Sequence, residues 1–177
     1  MYLPSEDSYL LSETLKKYLK NKNKKIKILD MGSGSGVQAE TCRELGFNNI
    51  IVADIDESAI NFLKKKKFKV IKSNLFSDLK KEKFSLIIFN PPYLPEDKYD
   101  KKKDTTGGKK GYETIIKFLK QAKKHLETDG EILLLFSSLS SPGIIKEQAK
   151  KLSYKITKLS SKKLFFEELH VYLLSRV

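Results

Sequence analysis

Residues 26–36 read Ile26-Lys27-Ile28-Leu29-Asp30-Met31-Gly32-Ser33-Gly34-Ser35-Gly36, an apolar run that ends in an acid and three spaced glycines. The run predicts a buried strand, and the residues after it predict a helix that begins near Gly36. Glycines between a strand and a helix allow a tight turn and let a ligand approach the backbone, with helix N–H groups directed at it. This stretch therefore predicts an α/β fold with a ligand site at the end of its first strand.

The glycine pattern differs from the one that binds dinucleotides. A dinucleotide-binding loop needs a glycine three residues after Gly34, and this chain has Val37 there. The pattern is instead D-x-G-x-G-x-G, led by Asp30. A carboxylate at this point favours a ligand with an ammonium or sulfonium group over a pyrophosphate. We therefore take Asp30, Gly32, Gly34 and Gly36 as candidate ligand-binding residues.

A second acid ends the next predicted strand, residues 49–54. Asp54 follows Gly32 by twenty-two residues, close to the interval at which an acid hydrogen-bonds the hydroxyls of a ribose. Asp56 has two candidate roles, ribose binding and capping of a helix predicted over residues 57–66. We favour Asp54 for the ribose and Asp56 for the cap.

The motif Asn90-Pro91-Pro92-Tyr93 follows a third apolar run, residues 84–89. The NH2 group of an amide or of adenine is a poor nucleophile, so an enzyme that modifies it must hold its N–H groups and align its lone pair. The side-chain carbonyl of Asn90 and the backbone carbonyl of Pro91 are neighbouring acceptors, and the two prolines remove competing donors. Tyr93 offers a flat face for stacking. Taken alone, the motif also fits a strand that ends at a Pro-Pro turn.

The order and spacing of these motifs point to one ligand, S-adenosylmethionine. It combines an ammonium group, a ribose and a methyl group that can be transferred. Asn90, Pro91, Pro92 and Tyr93 are then the candidate catalytic residues, with Asn90 also near the cofactor.

Two further segments resemble the HemK-like (PrmC-like) glutamine N5-methyltransferases. The segment Tyr2-Leu3-Pro4-Ser5-Glu6-Asp7-Ser8-Tyr9-Leu10-Leu11 is similar to the Y-x-P-x-E-D-[ST]-x-L-L opening of their short archaeal and eukaryotic branch. The segment Gly107-Gly108-Lys109-Lys110-Gly111-Tyr112-Glu113 resembles the G-G-x-x-G-x-E that follows NPPY in the family. The resemblance covers residues 2–120 densely. DNA adenine methyltransferases share NPPY, but we do not expect both flanking segments in them.

The resemblance implies a substrate, the glutamine of the Gly-Gly-Gln loop in a class I translation release factor. It implies cofactor contacts from the residues that match Ser8, Asp30, Gly32, Asp54 and Asn90. Asn74 stands where relatives commonly have Asp near the adenine, and we expect it to serve there. Two alternatives stay open: N6-adenine methylation of DNA or RNA, and a non-catalytic subunit that binds the cofactor.

The same resemblance implies a partner. Relatives in the short branch work with a small zinc-binding activator protein, which forms a heterodimer by adding to the edge of the sheet at the third strand. In this chain that strand is expected at about residues 69–73.

Strand and helix patterns alternate along most of the 177 residues, which predicts one domain, residues 1–177, with a mostly parallel sheet and helices on both faces. Residues 154–159 and 170–174 look like neighbouring strands joined by residues 160–169. This agrees with the fold that the resemblance implies: a class I methyltransferase (Rossmann-like) three-layer sandwich, whose seven-stranded sheet closes with an antiparallel C-terminal edge pair.

The net charge of +13 raises the question of nucleic acid. Arginine is the better reader of phosphate and guanine, yet only Arg43 and Arg176 are arginine and the other basic residues are lysine. The lysines are scattered in short runs, as on solvated surfaces. Contact with nucleic acid is therefore not favoured.

The remaining features argue against other chemistry. Cys42 is the only cysteine, so neither a disulfide framework nor a zinc site is expected, and we place it as a buried side chain on the first helix of the fold. His125 is expected late in a helix and His170 in a strand, neither in catalysis. The loop from Leu94 to Thr106 is expected to be mobile and to order over the substrate. No membrane span or signal peptide is apparent, so we expect a cytoplasmic protein.

Overall fold

The computed structural model describes residues 3–95 and 107–177. Tyr2 of the opening segment and residues 96–106 of the predicted mobile loop lie outside the described residues. Within the described ranges the helices and strands follow in the order α1 (Glu6–Leu19), β1 (Ile28–Met31), α2 (Val37–Glu44), β2 (Ile50–Asp54), α3 (Glu57–Lys65), β3 (Lys69–Lys72), β4 (Phe84–Phe89), α4 (Glu113–Ala122), β5 (Leu126–Ser137), α5 (Pro142–Lys151), β6 (Tyr154–Lys163) and β7 (Glu168–Arg176). Short 3₁₀ helices, Lys123–His125 and Ser138–Ser140, flank β5.

The seven strands form one sheet in the order β3-β2-β1-β4-β5-β7-β6. The first five strands of this order pair in parallel, and β7 pairs antiparallel with both β5 and β6. Parallel neighbours need crossover connections, which the helices between the strands supply. The predicted fold class, a mostly parallel seven-stranded sheet with an antiparallel C-terminal pair, is confirmed.

Each face of the sheet carries its own hydrophobic core, because successive side chains of a strand point to opposite faces. Leu29 and Met31 of β1 belong to one core, and Ile28 belongs to the other. The first core is covered by α4 and α5, and the second by α1, α2 and α3. Helix α4 buries residues spaced three and four apart, as an amphipathic helix does: Ile115, Phe118, Leu119 and Ala122. Helix, sheet and helix thus form three layers.

The predicted C-terminal strands were too short. The hairpin pairs from Tyr154↔Arg176 to Lys163↔Glu168, so residues 160–163 and 168–169 belong to strands and only residues 164–167 join them. The alternation of side chains along β6 is irregular because its register shifts between Lys158 and Ser160, and this hid the strand from a period-two pattern.

Cys42 is fully buried, as expected, on the helix predicted to begin near Gly36. That helix is α2, however, and not the first helix of the fold. The opening segment forms a helix of its own, α1, before the first strand.

The strand order reverses between β1 and β4, with β2 and β3 on one side and β5 to β7 on the other. Met31 and Phe89, the last residues of these two strands, are paired in register. The loops that begin at Gly32 and at Asn90 therefore leave the sheet side by side. Ligands of open α/β sheets bind outside the carboxyl ends of the strands at such a reversal, so the fold brings both sequence motifs to the expected ligand site.

Candidate active site

A cavity of about 360 Å³ lies at this reversal. Its walls come from the start of α1, from the loops after β1, β2 and β4, and from the turn between β6 and β7. Among the described residues that line it, no lysine or arginine occurs and five are acids: Asp7, Asp30, Asp54, Asp56 and Glu167. In a chain with a net charge of +13, an acid-lined cavity favours a cationic ligand and disfavours phosphate.

The glycine loop needs glycine on both backbone and steric grounds. Gly36, the residue before α2, has φ +81°, which L side chains rarely adopt. An added Cβ there would lie only 2.7 Å from Leu63 Cδ2. Gly34 donates its backbone N–H to Asp54 Oδ2 at 2.8 Å. The loop is therefore held against both α3 and the end of β2.

Asp30, in the first strand, is deeply buried in the cavity wall, with 2% of its surface exposed. Its Oδ2 accepts hydrogen bonds from Ser33 Oγ at 2.5 Å and from the backbone N–H of Ala39 at 3.2 Å. Burial raises the pKa of Asp30 to about 7, although both hydrogen bonds lower it. A cation bound nearby would offset this cost, because it stabilises the ionised carboxylate.

Asp54 sits at the end of β2 with both carboxylate oxygens bonded to the backbone. Oδ2 accepts from Gly34 N, and Oδ1 accepts from Asp56 N at 2.8 Å. Each oxygen has a second lone pair, so the carboxylate can still accept from a ligand hydroxyl. Asp56 accepts from Ser58 N at 3.0 Å and caps α3, as predicted from the sequence.

Asn90 projects from the end of β4 with the two ends of its amide in different surroundings. Its Nδ2 donates to Asp7 Oδ2 at 3.1 Å. Its Oδ1 is buried and accepts no hydrogen bond from any residue of the described ranges. A buried acceptor without a donor is costly and rare in folded proteins. This oxygen is therefore placed to accept an N–H group from a ligand in the cavity.

Asp7 links the NPPY motif to α1. This carboxylate is 3% exposed, and its Oδ2 also accepts from the Tyr93 hydroxyl at 3.2 Å. Its Oδ1 accepts from the backbone N–H and the hydroxyl of Ser8, at 2.6 and 3.2 Å. One buried carboxylate thus fixes the positions of Asn90 and Tyr93 relative to Ser8.

Two glycines of residues 107–113 pack against the backbone of the NPPY motif. A Cβ on Gly107 would lie 2.5 Å from the carbonyl oxygen of Pro92, and one on Gly111 would lie 2.4 Å from that of Tyr93. Gly107 N donates to Leu94 O at 2.9 Å. This segment therefore supports the loop that carries Asn90.

Most of the predicted site residues come together at the cavity. Its lining includes Ser8, Asp30, Gly32, Gly34, Asp54, Asn90, Pro91, Pro92 and Tyr93. Gly36 and Asn74 lie outside that lining. Gly36 packs behind the loop, and Asn74 is exposed in a turn, where its backbone N–H donates to Ser77 Oγ at 3.2 Å.

Several residues of the cavity wall were not singled out by sequence reasoning. Gln38 donates from Nε2 to Ser8 O at 2.9 Å and joins α2 to the start of α1. Ile55 lines the cavity although 62% of its surface is exposed. Asp7 stood within the opening segment as a possible signal, while Glu167 comes from the distant β6–β7 turn and had none.

The other reactive residue types have structural roles. Burial raises the pKa of the Cys42 thiol, which leaves it un-ionised. His125 lies in the 3₁₀ helix after α4, where Nδ1 contacts Glu82 O at 2.8 Å and the ring stacks on Phe76. His170 lies in β7 as predicted, with its ring edge-on to Phe136 and Tyr172. In the described ranges, no group of His, Cys, Asp or Glu residues is arranged to hold a metal ion, and none of the helices could cross a membrane.

Comparison with known proteins agrees with this geometry. Residues 6–158 match the family described as the methyltransferase small domain. MJ0928 of Methanocaldococcus jannaschii, a candidate protein N5-glutamine methyltransferase, is 33% identical over 97% of this chain and 89% of the relative. A release factor glutamine methyltransferase of Clostridium botulinum is 36% identical over 65% of this chain, which spans about half (49%) of that relative.

A solved structure shares the fold. It is a chain of the E. cuniculi Mtq2–Trm112 complex, described as responsible for the methylation of the translation termination factor eRF1. The TM-score is 0.83 at 23% identity, covering 99% of this chain and 98% of that one. From the family match and the identity along nearly the whole chain, the protein belongs to the methyltransferase small domain family and, within it, to the protein N5-glutamine methyltransferases.

Proposed function

We propose that this enzyme transfers the methyl group of S-adenosylmethionine to the side-chain nitrogen of the glutamine in the Gly-Gly-Gln loop of a class I translation release factor. The observation that carries the proposal is Asn90 Oδ1, a buried acceptor that lacks a donor among the described residues, on the wall of an acid-lined cavity. An amide NH2 group supplies the missing donor.

The cavity fits the cofactor in charge and in hydrogen-bonding groups. We assign the ammonium group to Asp30 and the ribose hydroxyls to Asp54, with Ser8, Gly32 and Gly34 along the remaining wall. When bound, the cofactor supplies an electrophilic methyl group on a positively charged sulfur. The cluster of acids supports a cationic ligand, since each carboxylate lowers the potential inside the cavity.

The amide nitrogen would be held and aligned by the NPPY motif. Asn90 Oδ1 accepts one N–H, the Pro91 carbonyl accepts the other, and the Tyr93 ring packs against the amide plane. Both acceptors become more favourable as positive charge develops on the nitrogen. The proton then leaves to water. No dedicated base is assigned, because Asp7 acts through Asn90 and Tyr93 and positioning is the main source of rate.

The substrate follows from family and chemistry together. The names of the relatives in Clostridium botulinum and E. cuniculi both refer to release or termination factors. With a translation factor as substrate, we propose a cytoplasmic location for the enzyme. The acid-lined cavity gives no support to adenine in DNA or RNA, whose phosphates need basic partners.

A small zinc-binding activator is the proposed partner, bound to the edge strand β3. This strand lies at one end of the strand order and pairs with β2 alone in the described part of the sheet. Val70 and Ile71 of β3 are half-buried, each against a different core. An edge strand with one free side can pair with a strand of another protein.

The test is methyl transfer from labelled cofactor to an archaeal-type release factor, with and without the candidate activator. A release factor with alanine in place of the loop glutamine, and a set of DNA and RNA oligomers, are the controls. Label that depends on the glutamine supports the proposal. Label on nucleic acid alone would replace it with N6-adenine methylation, and cofactor binding without transfer would indicate a non-catalytic subunit.

A further inference from the structure

The turn between β6 and β7 presents two aromatic side chains to solvent. Phe165 and Phe166 are 91% and 84% exposed, and their rings meet edge to face with centroids 4.6 Å apart. The turn is closed by a hydrogen bond from Leu164 N to Glu167 O at 2.8 Å. Large aromatic side chains are rarely left this exposed unless they contact another molecule.

The same turn reaches the cavity. Glu167, next to Phe166 in the chain, lines the cavity wall. Its Oε2 is buried and finds no hydrogen-bond donor in residues 3–95 or 107–177. Because consecutive Cα atoms are about 3.8 Å apart, the exposed aromatic pair stands within two residues of a side chain of the cavity wall.

The turn is held in place by the rest of the protein. Lys162 pairs with Glu6 at the start of α1 through a 2.5 Å contact, and Ser138 Oγ accepts from Glu168 N at 2.9 Å. Leu164 packs against the core beneath α1. The exposure of the aromatic rings therefore belongs to a fixed element, and it does not result from a loose loop end.

We infer that the β6–β7 turn is the docking element for the substrate protein: Phe165 and Phe166 contact its loop, and Glu167 accepts a backbone N–H beside the target side chain. The inference rests on the proposed function. The proposed cofactor shares the cavity of about 360 Å³, which is at the small end of ligand pockets, so a substrate protein can insert only its target side chain and lays the flanking chain on the rim. A glycine-rich loop leaves its peptide planes and N–H groups uncovered, which suits aromatic faces and a carboxylate acceptor.

The experiment measures substrate binding and methyl transfer in parallel, using the full-length protein with any activator that it requires. Binding of a fluorescently labelled release factor is followed by anisotropy in the presence of S-adenosylhomocysteine. The variants are the double change F165S/F166S and the isosteric Glu167→Gln. The matched control is Leu159→Ser, because Leu159 is an exposed apolar residue (39%) of the same hairpin but lies roughly 20 Å along the strand. Cofactor affinity, measured by calorimetry, reports whether the cavity stays intact.

We expect F165S/F166S to raise the Kd for the release factor, and KM with it, about tenfold or more, with kcat at saturation and cofactor affinity unchanged. Glu167→Gln should raise KM severalfold, and Leu159→Ser should behave as wild type. Wild-type substrate affinity in both turn variants would overturn the docking role while leaving the proposed function in place. A wild-type protein that neither binds nor methylates the release factor would overturn both.

Discussion

The orientation of the Asn90 amide is determined by chemistry at a single neighbouring atom. A carboxylate can only accept hydrogen bonds, so the end of Asn90 that meets Asp7 Oδ2 at 3.1 Å must be the NH2 group. The carbonyl oxygen then has to face away from Asp7. Asp7 is in this sense a positioning residue, because it turns the Asn90 oxygen toward the cavity and acts on the substrate only through Asn90.

Removing the Asn90 amide should remove this acceptor. We expect Asn90→Ala to lower kcat by about a hundredfold, equivalent to ~3 kcal/mol, as for other single preorganised groups. Single-turnover methyl transfer measures the effect, and a variant with full activity would show that Asn90 does not hold the nitrogen.

Asp7→Asn should impair catalysis through Asn90. An asparagine at this position can donate as well as accept, so it no longer specifies which end of Asn90 faces the cavity, and we expect kcat to fall tenfold or more. The decisive measurement is a double-mutant cycle with Asn90→Ala: two changes that act through one amide are not additive. Additive losses would mean that Asp7 contributes by another route. Glu13→Gln, at an exposed position of α1, is the control.

The raised pKa of Asp30 predicts a pH-dependent affinity for the cofactor. Since its pKa is about 7 in the ligand-free protein, the side chain is largely protonated at pH 6 and ionised at pH 8. A cationic ligand prefers the ionised form, so cofactor affinity should rise with pH through about 7. Calorimetry between pH 5.5 and pH 8.5 tests this, and Asp30→Asn should bind more weakly with a flat profile. A profile shared by wild type and variant would assign the titration to another group.

The same carboxylate should cost stability. An aspartate in an unfolded chain has a pKa of about 3.8, and the pKa of Asp30 in the folded protein is higher. The folded protein therefore binds this proton more tightly than the unfolded chain does. The associated stability is complete below about pH 4 and is lost as the pH rises through 7. At pH 8, ligand-free Asp30→Asn should therefore be more stable than wild type, by up to about 4 kcal/mol, with little difference near pH 4. Thermal unfolding across this range measures it, and a variant less stable at pH 8 would contradict it.

At the scale of elements, the packing of residues 107–113 shows why this segment contains glycines. Its backbone lies against that of Pro92 and Tyr93, so that even a methyl group would collide with carbonyl oxygens. Glu113 completes the turn by accepting from the backbone N–H of Lys110 and of Tyr112. The segment is thus a support for the NPPY loop, built where a side chain has no room.

Gly111→Ala should displace that loop. Gly111 has φ +82°, and the new Cβ would lie 2.4 Å from Tyr93 O. We therefore expect the free energy of unfolding to fall by about 2 kcal/mol or more. The value of kcat should fall as well. Denaturant unfolding and methyl transfer measure the two effects. Gly143→Ala is the matched control, since a Cβ there meets nothing within 4 Å. Equal behaviour of the two variants would contradict the supporting role.

Local periodicity was enough to predict the bounds of β4 but not those of the two hairpin strands. Strand β4 was predicted with its observed bounds, Phe84–Phe89, because buried parallel strands are continuous apolar runs. Strand β6 has mostly exposed residues, and only its pairing with β7 extends it to Lys163. Pairing between distant residues leaves little trace in a short window of sequence, so the connection was predicted too long, as residues 160–169 instead of 164–167.

At the scale of the whole molecule, the edge strand β3 and the proposed activator lead to a prediction about how the chain behaves alone. Co-expression with the small zinc-binding activator should raise the soluble yield and the cofactor affinity, because a new strand would pair with backbone groups that β3 leaves unused. Yield, light scattering and calorimetry of the chain with and without the activator measure the effect. Full activity and good behaviour of the lone chain would remove the dependence.

The sequence motifs named the residues at the strand ends that line the cavity. They did not indicate the residues from distant parts of the chain that join them there. Asp30, Asp54 and Asn90 end neighbouring parallel strands, so the topology alone brings them together. Asp7 and Glu167 arrive from the two extremes of the chain, and only the packing of α1 against the sheet and the β6–β7 hairpin makes them neighbours. Asn74 follows β3 at the sheet edge and is exposed outside the lining of the cavity, so its role at the adenine stays a prediction.

The acid-lined cavity has a consequence for the outside of the molecule. Five of its carboxylates are counted in the net charge of +13, so the rest of the chain carries a formal charge of +18. The protein thus combines an acidic cavity with a surface that is strongly basic. Polyanions such as RNA would adhere to this surface at low salt without entering the cavity. Nucleic acid that co-purifies with this enzyme is thus an expected passenger, removable by salt, and carries no information about what is methylated.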